Sequence, residues 1–324
     1  MFCHIWYVNA SKKGPFCLES GMHCVEMQDV TKTFGKTVAV DALSLAVPQA
    51  GIYGFIGPNG SGKTTALRMI MNIFYPDRGS IRVFGERLGG AANDRIGYLP
   101  EERGLYKRMK VREILRFYGR LKNGRNVNAR VDEWLERFEL TGWASKKVSA
   151  LSKGMSQKVQ FIATVVSQPD LVILDEPFSG LDPVNTDAMR CAVLDLRTAG
   201  ATIIFSTHDM QVAERMCDFI FMIFKGRKVL DGTLETIQSS YGSDTIRIST
   251  DDGADALDNL PGIVGVRDYG QSQELRMAPD CDPQRILAQI ISRTRVRHFE
   301  IARPSLHDIF VRIAGPEAKE AADA

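Results

Sequence analysis

The chain has 324 residues, 44% of them hydrophobic and 25% charged, and a formal net charge of +2. This is the profile of an ordinary globular protein with room for one large and one small domain, and it excludes a global electrostatic field that would draw the chain to nucleic acid or an anionic surface. Its clearest apolar runs, Leu171–Leu174 and Phe219–Phe224, fall far short of the about 20 residues a spanning helix needs, so any membrane-spanning part belongs to another chain.

Residues 1–21 read as a disordered extension, or as the product of an upstream start. Ile5-Trp6-Tyr7-Val8 is too short for a signal core, and no convincing cleavage site follows. Cys3, His4, Cys17, His23 and Cys24 lie close together but match no familiar zinc spacing. The six cysteines form no CxxC pair and read as ordinary thiols of a reduced cytosolic protein.

From residue 22 the pattern is regular. Val25–Thr31 and Thr37–Val47 read as strands around a Phe34-Gly35-Lys36 turn, and Gly51–Ile56 as a compact apolar strand. A helix is expected over Ala66–Phe74, stopped by Pro76-Asp77, and a strand over Gly79–Phe84. Val111–Phe138 is amphipathic and helical throughout, and another helix is expected over Ser156–Ser167. Leu171–Leu174, Ala201–Ser206 and Phe219–Phe224 read as strands, the first two buried on both faces, with helices over Val184–Ala199 and Met210–Met216 between them. This alternation predicts an α/β domain over residues 22–242 built on a parallel sheet. Gly242-Ser243 reads as a boundary. Beyond it, strands over Thr245–Ser249, Val264–Asp268, Glu274–Met277 and Val296–Ile301 alternate with helices near Ala254–Asn259 and Pro283–Ser292. That βαββαβ order predicts a small ferredoxin-like α+β domain over 243–315, closed by a helix over Ser305–Ile313 and followed by a fraying tail, 316–324.

Two motifs carry chemistry. Gly57-Pro58-Asn59-Gly60-Ser61-Gly62-Lys63-Thr64 fits GxxxxGK[ST] in full, with Thr65 following, and it lies between a predicted strand and a predicted helix. Glycines let the backbone wrap so that successive N–H groups face phosphate oxygens, and the helix that follows offers its positive end to the same anion. Lys63 is placed to reach the β- and γ-phosphates, and Thr64 to offer its hydroxyl to Mg²⁺. Downstream, Leu171–Leu174 delivers Asp175 and Glu176 to the end of a buried strand, where open α/β sheets bind ligands. Asp175 is placed to hold Mg²⁺ through water, and Glu176 to take a proton from an attacking water.

Further residues add a family resemblance. Leu151-Ser152-Lys153-Gly154-Met155 resembles the LSGGQ signature of ABC (ATP-binding cassette) ATPases. Leu174-Asp175-Glu176-Pro177-Phe178-Ser179-Gly180-Leu181-Asp182-Pro183 resembles their Walker B and D-loop run, and Ser206-Thr207-His208-Asp209 their histidine switch. The resemblance spans residues 25–230 and implies a P-loop NTPase of ABC type, with an antiparallel β subdomain and a helical subdomain. It also implies a homodimer or heterodimer of ATPase subunits sandwiching two ATP molecules with Mg²⁺. In it Ser152 and Gly154 cap the partner's γ-phosphate, Asp182 lies at the dimer seam, and His208 contacts the γ-phosphate while holding Glu176. Glu101 stands in Gly97-Tyr98-Leu99-Pro100-Glu101-Glu102, where the family usually has Gln, and can still face Mg²⁺. Phe34 takes the place of the usual adenine-stacking Tyr.

The segment Tyr98–Tyr106, the signature, and the ending Ser305-Leu306-His307-Asp308-Ile309-Phe310 are similar to a bacterial exporter branch that includes sodium-extrusion and drug-efflux ATPases. That branch implies an ATP-hydrolysing motor bound peripherally at the cytoplasmic face of the cell membrane through a transmembrane permease, with Arg103, Leu105, Tyr106 and Met109 at the contact. The alternative is a soluble ABC ATPase acting on ribosomes or DNA. Such relatives usually fuse two cassettes or carry long coiled-coil insertions, and this chain has one cassette and no heptad run of that length, so no nucleic-acid partner is expected.

Overall fold

The computed structural model describes residues 23–87, 94–102, 104–122, 126–241, 245–279 and 281–322. The expectations for residues 1–21, for Gly242-Ser243 and for Arg103 lie outside them. The chain divides into two compact units, one ending at Asp231 and one beginning at Gly232.

The first unit holds two sheets. Strands β1 (His23–Phe34), β2 (Thr37–Pro48), β4 (Arg78–Val83) and β5 (Glu86–Arg87) form an antiparallel sheet in the order β2-β1-β4-β5. Strands β3 (Ile52–Ile56), β6 (Ile96–Leu99), β7 (Leu171–Asp175), β8 (Thr202–Thr207), β9 (Phe219–Phe224) and β10 (Arg227–Gly232) form a second sheet in the order β10-β9-β3-β8-β7-β6. From β9 to β6 this sheet is parallel. Its strands read as continuous apolar runs because both faces are covered. Leu171, Ile173, Ile204, Phe55 and Phe221 pack in one core with the antiparallel sheet and helix α1 (Lys63–Ile70). Val172, Leu174, Ile203 and Phe205 pack in another with the helical layer. Successive side chains of one strand thus feed two different cores, as the pleat requires.

The helical layer contains α2 (Val111–Leu121), α3 (Val127–Arg137), α4 (Lys153–Val165) and α5 (Pro183–Thr198). The single amphipathic run expected over Val111–Phe138 is two helices. Asn126, which caps α3, has φ 51°, a left-handed conformation that cannot continue a helix. Three strands were not expected from the sequence, the first being the two-residue β5. β6 is only four residues and includes Gly97, and β10 opens on Arg227-Lys228 at a sheet edge, where alternation is weak. The aromatic centre of the helical layer is Phe161, fully buried, with its ring centroid 5.8 Å from those of both Trp134 and Phe138. Phe161→Ala is expected to cost about 3–5 kcal/mol through lost burial plus the cavity left behind. A denaturant titration followed by tryptophan fluorescence checks this.

The second unit begins with α7 (Leu234–Ser240), which follows α6 (Met210–Met216) in the chain and which the boundary expected at 242 assigned to the first domain. The physical reason for the difference lies in its contacts: Gln238 donates to the Pro304 carbonyl at 3.0 Å, and Glu235 pairs with Arg303. Strands β11 (Thr245–Thr250), β12 (Ile263–Asp268), β13 (Gln273–Met277) and β14 (Val296–Ala302) form an antiparallel sheet in the order β12-β13-β11-β14. This is the ferredoxin-like order. A 3-10 turn, Gly253–Leu257, stands where the first helix was expected, and α8 (Pro283–Ile291) is the second. Ile246, Ile248, Leu275, Ile286 and Ile290 make its core. The last helix, α9 (Leu306–Ala322), runs past Ile313 into the Ala/Glu/Lys-rich segment expected to fray, a composition that favours helix.

Candidate functional site

Parallel pairing gathers the site. Strands β6, β7, β8 and β3 are neighbours running the same way, with Leu99 opposite Leu174, Asp175 opposite Ser206, and Ile56 opposite Thr207. Their C-terminal ends therefore release four loops at one edge: the glycine-rich loop, the Glu101 segment, the Glu176 loop and His208. That edge is where an open α/β sheet binds its ligand.

The glycine-rich loop is tight because its neighbours leave no room for side chains. A Cβ on Gly57 would lie 2.2 Å from the Ile223 carbonyl oxygen. Gly62 caps α1 at φ 107°, and a Cβ there would lie 2.4 Å from the Ala39 carbonyl oxygen. Asn59 and Gly60 are exposed at the loop's crest, Pro58 is half-buried, and Thr64 and Thr65 are half-buried in the first turn of α1. Ser61 is buried, and its hydroxyl has no hydrogen-bond partner among the described residues. Lys63 is buried, its Nζ donating to the carbonyls of Gly57 at 2.6 Å and Pro58 at 3.0 Å. An ammonium has three donors, so one remains for a further acceptor. Burial pushes the Lys63 pKa down, opposed by the carboxylates of Glu176, Asp175 and Glu101. Those opposing charges place all three carboxylates in the electrostatic reach of one lysine.

Asp175 is 1% exposed. Its Oδ1 accepts from Ser206 Oγ at 2.5 Å and from Thr64 Oγ1 at 3.3 Å, while its Oδ2 is buried with no hydrogen-bond partner among the described residues. An orphaned, buried carboxylate oxygen is costly unless something cationic completes it. With the Thr64 hydroxyl beside it, the set is hard oxygen and fits Mg²⁺. Among the described residues no cluster of three or more His, Cys, Asp or Glu could hold a metal alone, so the ion's remaining ligands would be phosphate oxygens and waters, as Mg²⁺ prefers.

Glu176 turns out of the strand at φ 49°, and its amide donates to Ser206 Oγ at 3.0 Å. Its Oε1 lies 3.0 Å from His208 Nδ1. Ser206 enters the sequence motifs only as part of the Ser206–Asp209 run, yet it is fully buried and fastens the Asp175 carboxylate and the Glu176 backbone amide. The Ser206-Thr207 pair of hydroxyls ending an apolar strand was the available signal. Tyr98 was also missed: its phenol is pushed up in pKa first by burial and then by the charge of Asp175. Phe34 is 44% exposed, its ring set edge-on with that of Phe74 at 5.3 Å and the Lys32 ammonium over it at 5.6 Å from the centroid.

The signature residues stand apart from this cluster, on α4. Ser152 is exposed and caps the helix, its hydroxyl accepting from the Met155 amide at 3.3 Å. The helix starts at Lys153 rather than at Ser156, so Gly154 lies in its first turn, where free N–H groups can meet an anion. A Cβ on Gly180 would lie 2.5 Å from the Lys153 ammonium, which packs over that loop. Asp182 is the N-cap of α5, accepting from the Asn185 amide at 3.0 Å, and that backbone bond, with one from the Asn185 side chain, holds its carboxyl below the usual range. Glu101 is exposed.

Comparison with known proteins gives the following. The family model described as "ABC transporter" matches residues 40–179, and "ATP-binding protein DrrA1-3-like, C-terminal domain" matches 232–314, beginning at the first residue of the second unit. A model described as "AAA domain, putative AbiEii toxin, Type IV TA system" matches 147–214 and overlaps the first over 147–179. The chain is 42% identical over 288 residues to the ABC transporter ATP-binding protein YhaQ of Bacillus subtilis (strain 168), covering 88% of this chain and 97% of that one. It is 34% identical over 303 residues to the Nod factor export ATP-binding protein I of Burkholderia lata, covering 91% and 98%. A solved ATP-binding subunit of an ABC transporter superposes with TM-score 0.64 and 31% identity, over 68% of this chain and 93% of that one.

Proposed function

This chain belongs to the ABC transporter family as an ATP-binding, ATP-hydrolysing subunit, and from that premise we propose that it powers an exporter whose permease is a separate membrane protein. Among the described residues no helix is long and apolar enough to cross a membrane. Export is favoured by the names of relatives such as the Nod factor export protein, matched over 91% of this chain. The observation that carries the mechanism is the Asp175–Ser206–Glu176–His208 chain of contacts at the end of β7.

The backbone amides of residues 59–64 and the Lys63 ammonium bind the ATP phosphates, and Phe34 stacks on the base. Mg²⁺, which Thr64 and Asp175 would hold with Glu101 as a further oxygen ligand, would neutralise phosphate charge. Glu176 accepts the proton of a water aimed at the γ-phosphate. His208 fixes the carboxylate's orientation from one side, and Ser206 fixes its backbone from the other. A second ATPase subunit, identical or homologous, supplies Ser152 and Gly154 to the same phosphate, and Asp182 lies at the seam. ATP therefore favours a closed dimer, and its hydrolysis releases it.

The permease contact is proposed at a cleft of about 340 Å³ lined by Pro100, Leu105, Tyr118, Leu121 and Lys122. Tyr106, 58% exposed in the segment before α2, and Phe117 on α2, 43% exposed, stand as an edge-on ring pair at 6.3 Å, an aromatic surface of the kind enriched at interfaces. The location that follows is the cytoplasmic face of the cell membrane. The test is to tag Glu176→Gln in its own host, solubilise membranes gently with ATP and Mg²⁺, and identify what co-purifies. A stoichiometric multi-span membrane protein is expected, and adding Tyr106→Glu should reduce its recovery at least about tenfold. Recovery with ribosomes or DNA-bound proteins instead overturns the transporter reading.

A further inference from the structure

Helix α4 carries three buried polar residues on one side of an otherwise apolar core: Gln157 at 9% exposure, Gln160 at 6% and Thr164 at 9%, among the fully buried Val159, Phe161 and Ile162. Their spacing of three and four places them on one face. A polar side chain at such a site costs stability unless it is hydrogen-bonded, and an apolar residue would fill the space without that requirement. The bonds they make explain their presence. Gln157 Nε2 donates to the Pro177 carbonyl at 2.6 Å. Gln160 Nε2 donates to the carbonyls of Glu102 at 3.2 Å and Pro100 at 3.5 Å. Thr164 Oγ1 lies 3.3 Å from the Tyr98 carbonyl and 3.0 Å from that of Gln160. Gln160 and Thr164 reach the 98–102 stretch and Gln157 reaches Pro177, and none of these bonds runs to another side chain.

We infer that this stripe positions the two loops that flank the nucleotide, Gln160 holding the Glu101 segment and Gln157 holding the Pro177–Asp182 segment, so that one rigid helix ties both to Ser152 at its N-terminus. Gln160 clamps the carbonyls on either side of Glu101, which fixes the peptide from which that carboxylate projects. Gln157 fixes the first residue after Glu176 and hence the loop leading to Asp182. Anything that engages the exposed start of α4 acts on both loops through side chains buried in its middle. These are positioning residues, because none of them touches the phosphate site itself.

The functional meaning rests on the ATPase reading above, but the clamp is a property of the chain alone and is tested without nucleotide. Methionine keeps the length and apolar fit of glutamine and removes the N–H donors. Hydrogen exchange of the full chain carrying Gln160→Met should be about tenfold faster in peptides covering 99–106 and unchanged at 177–183, and Gln157→Met should show the converse. With Mg²⁺ and ATP added, Gln160→Met should raise the Mg²⁺ concentration for half-maximal turnover several-fold. Should a methionine variant not fold, the alanine variant is read the same way. Faster exchange throughout the first unit, or unchanged exchange at 99–106 in folded Gln160→Met, overturns the inference. Failure of the ATPase reading would appear separately, as turnover surviving Glu176→Gln.

Discussion

Glu176→Gln is expected to lower ATP turnover by about a hundred- to ten-thousandfold while leaving ATP binding intact, the range lost when a positioned general base is removed. The amide keeps the size of the side chain and its place 3.0 Å from His208, so the geometry survives and only proton acceptance is lost. The fall should therefore appear in kcat with little rise in KM. With ATP and Mg²⁺ the variant should elute as a dimer in size-exclusion chromatography, because the closed state is no longer discharged. Phosphate release at saturating ATP is the deciding measurement, and turnover equal to the parent chain would remove Glu176 from the role of base.

The second large effect is expected at Gly62. Its φ of 107° suits glycine alone, and a Cβ would lie 2.4 Å from the Ala39 carbonyl oxygen and 3.3 Å from Ile223 Cδ1. The first of these is backbone of a neighbouring strand and cannot swing aside. Gly62→Ala should cost about 3 kcal/mol or more in unfolding free energy and abolish measurable ATP binding, since the collision falls where the loop turns into α1. Gly60→Ala is the internal comparison. Its φ of 77° is also left-handed, but nothing lies within 4 Å of the added carbon, so only the backbone preference is lost, about 1 kcal/mol. Equal midpoints for the two variants in a denaturant titration would mean that the tight approach of Ala39 does not exist.

Much of this molecule could be read before any coordinates. The apolar strands β3, β7, β8 and β9 were legible because both of their faces are buried, which leaves an uninterrupted hydrophobic run. The glycine-rich loop was legible because its residue types answer a local need: close backbone approach, a helix start and one lysine. The βαββαβ pattern of the second unit was legible from alternation and turn residues, and the strand order β12-β13-β11-β14 is the one that pattern implies. Features governed by weak local signals were lost, namely the four-residue β6, the polar edge strand β10, and the break at Asn126 inside a continuous amphipathic run.

Sequence alone thus determined the chemistry available to this protein, because a phosphate loop, an Asp-Glu pair and a signature are contiguous strings whose physics is local. Only the tertiary structure decided how those strings meet. Ser206 fastens Asp175 and Glu176 because β7 and β8 pair in a particular register. Gln160 reaches the backbone beside Glu101 because α4 packs against the end of β6. Helix α7 joins the second unit because Gln238 finds Pro304, 66 residues away. Contacts of that kind depend on burial and register between segments distant in the chain, and no local pattern of residues encodes them.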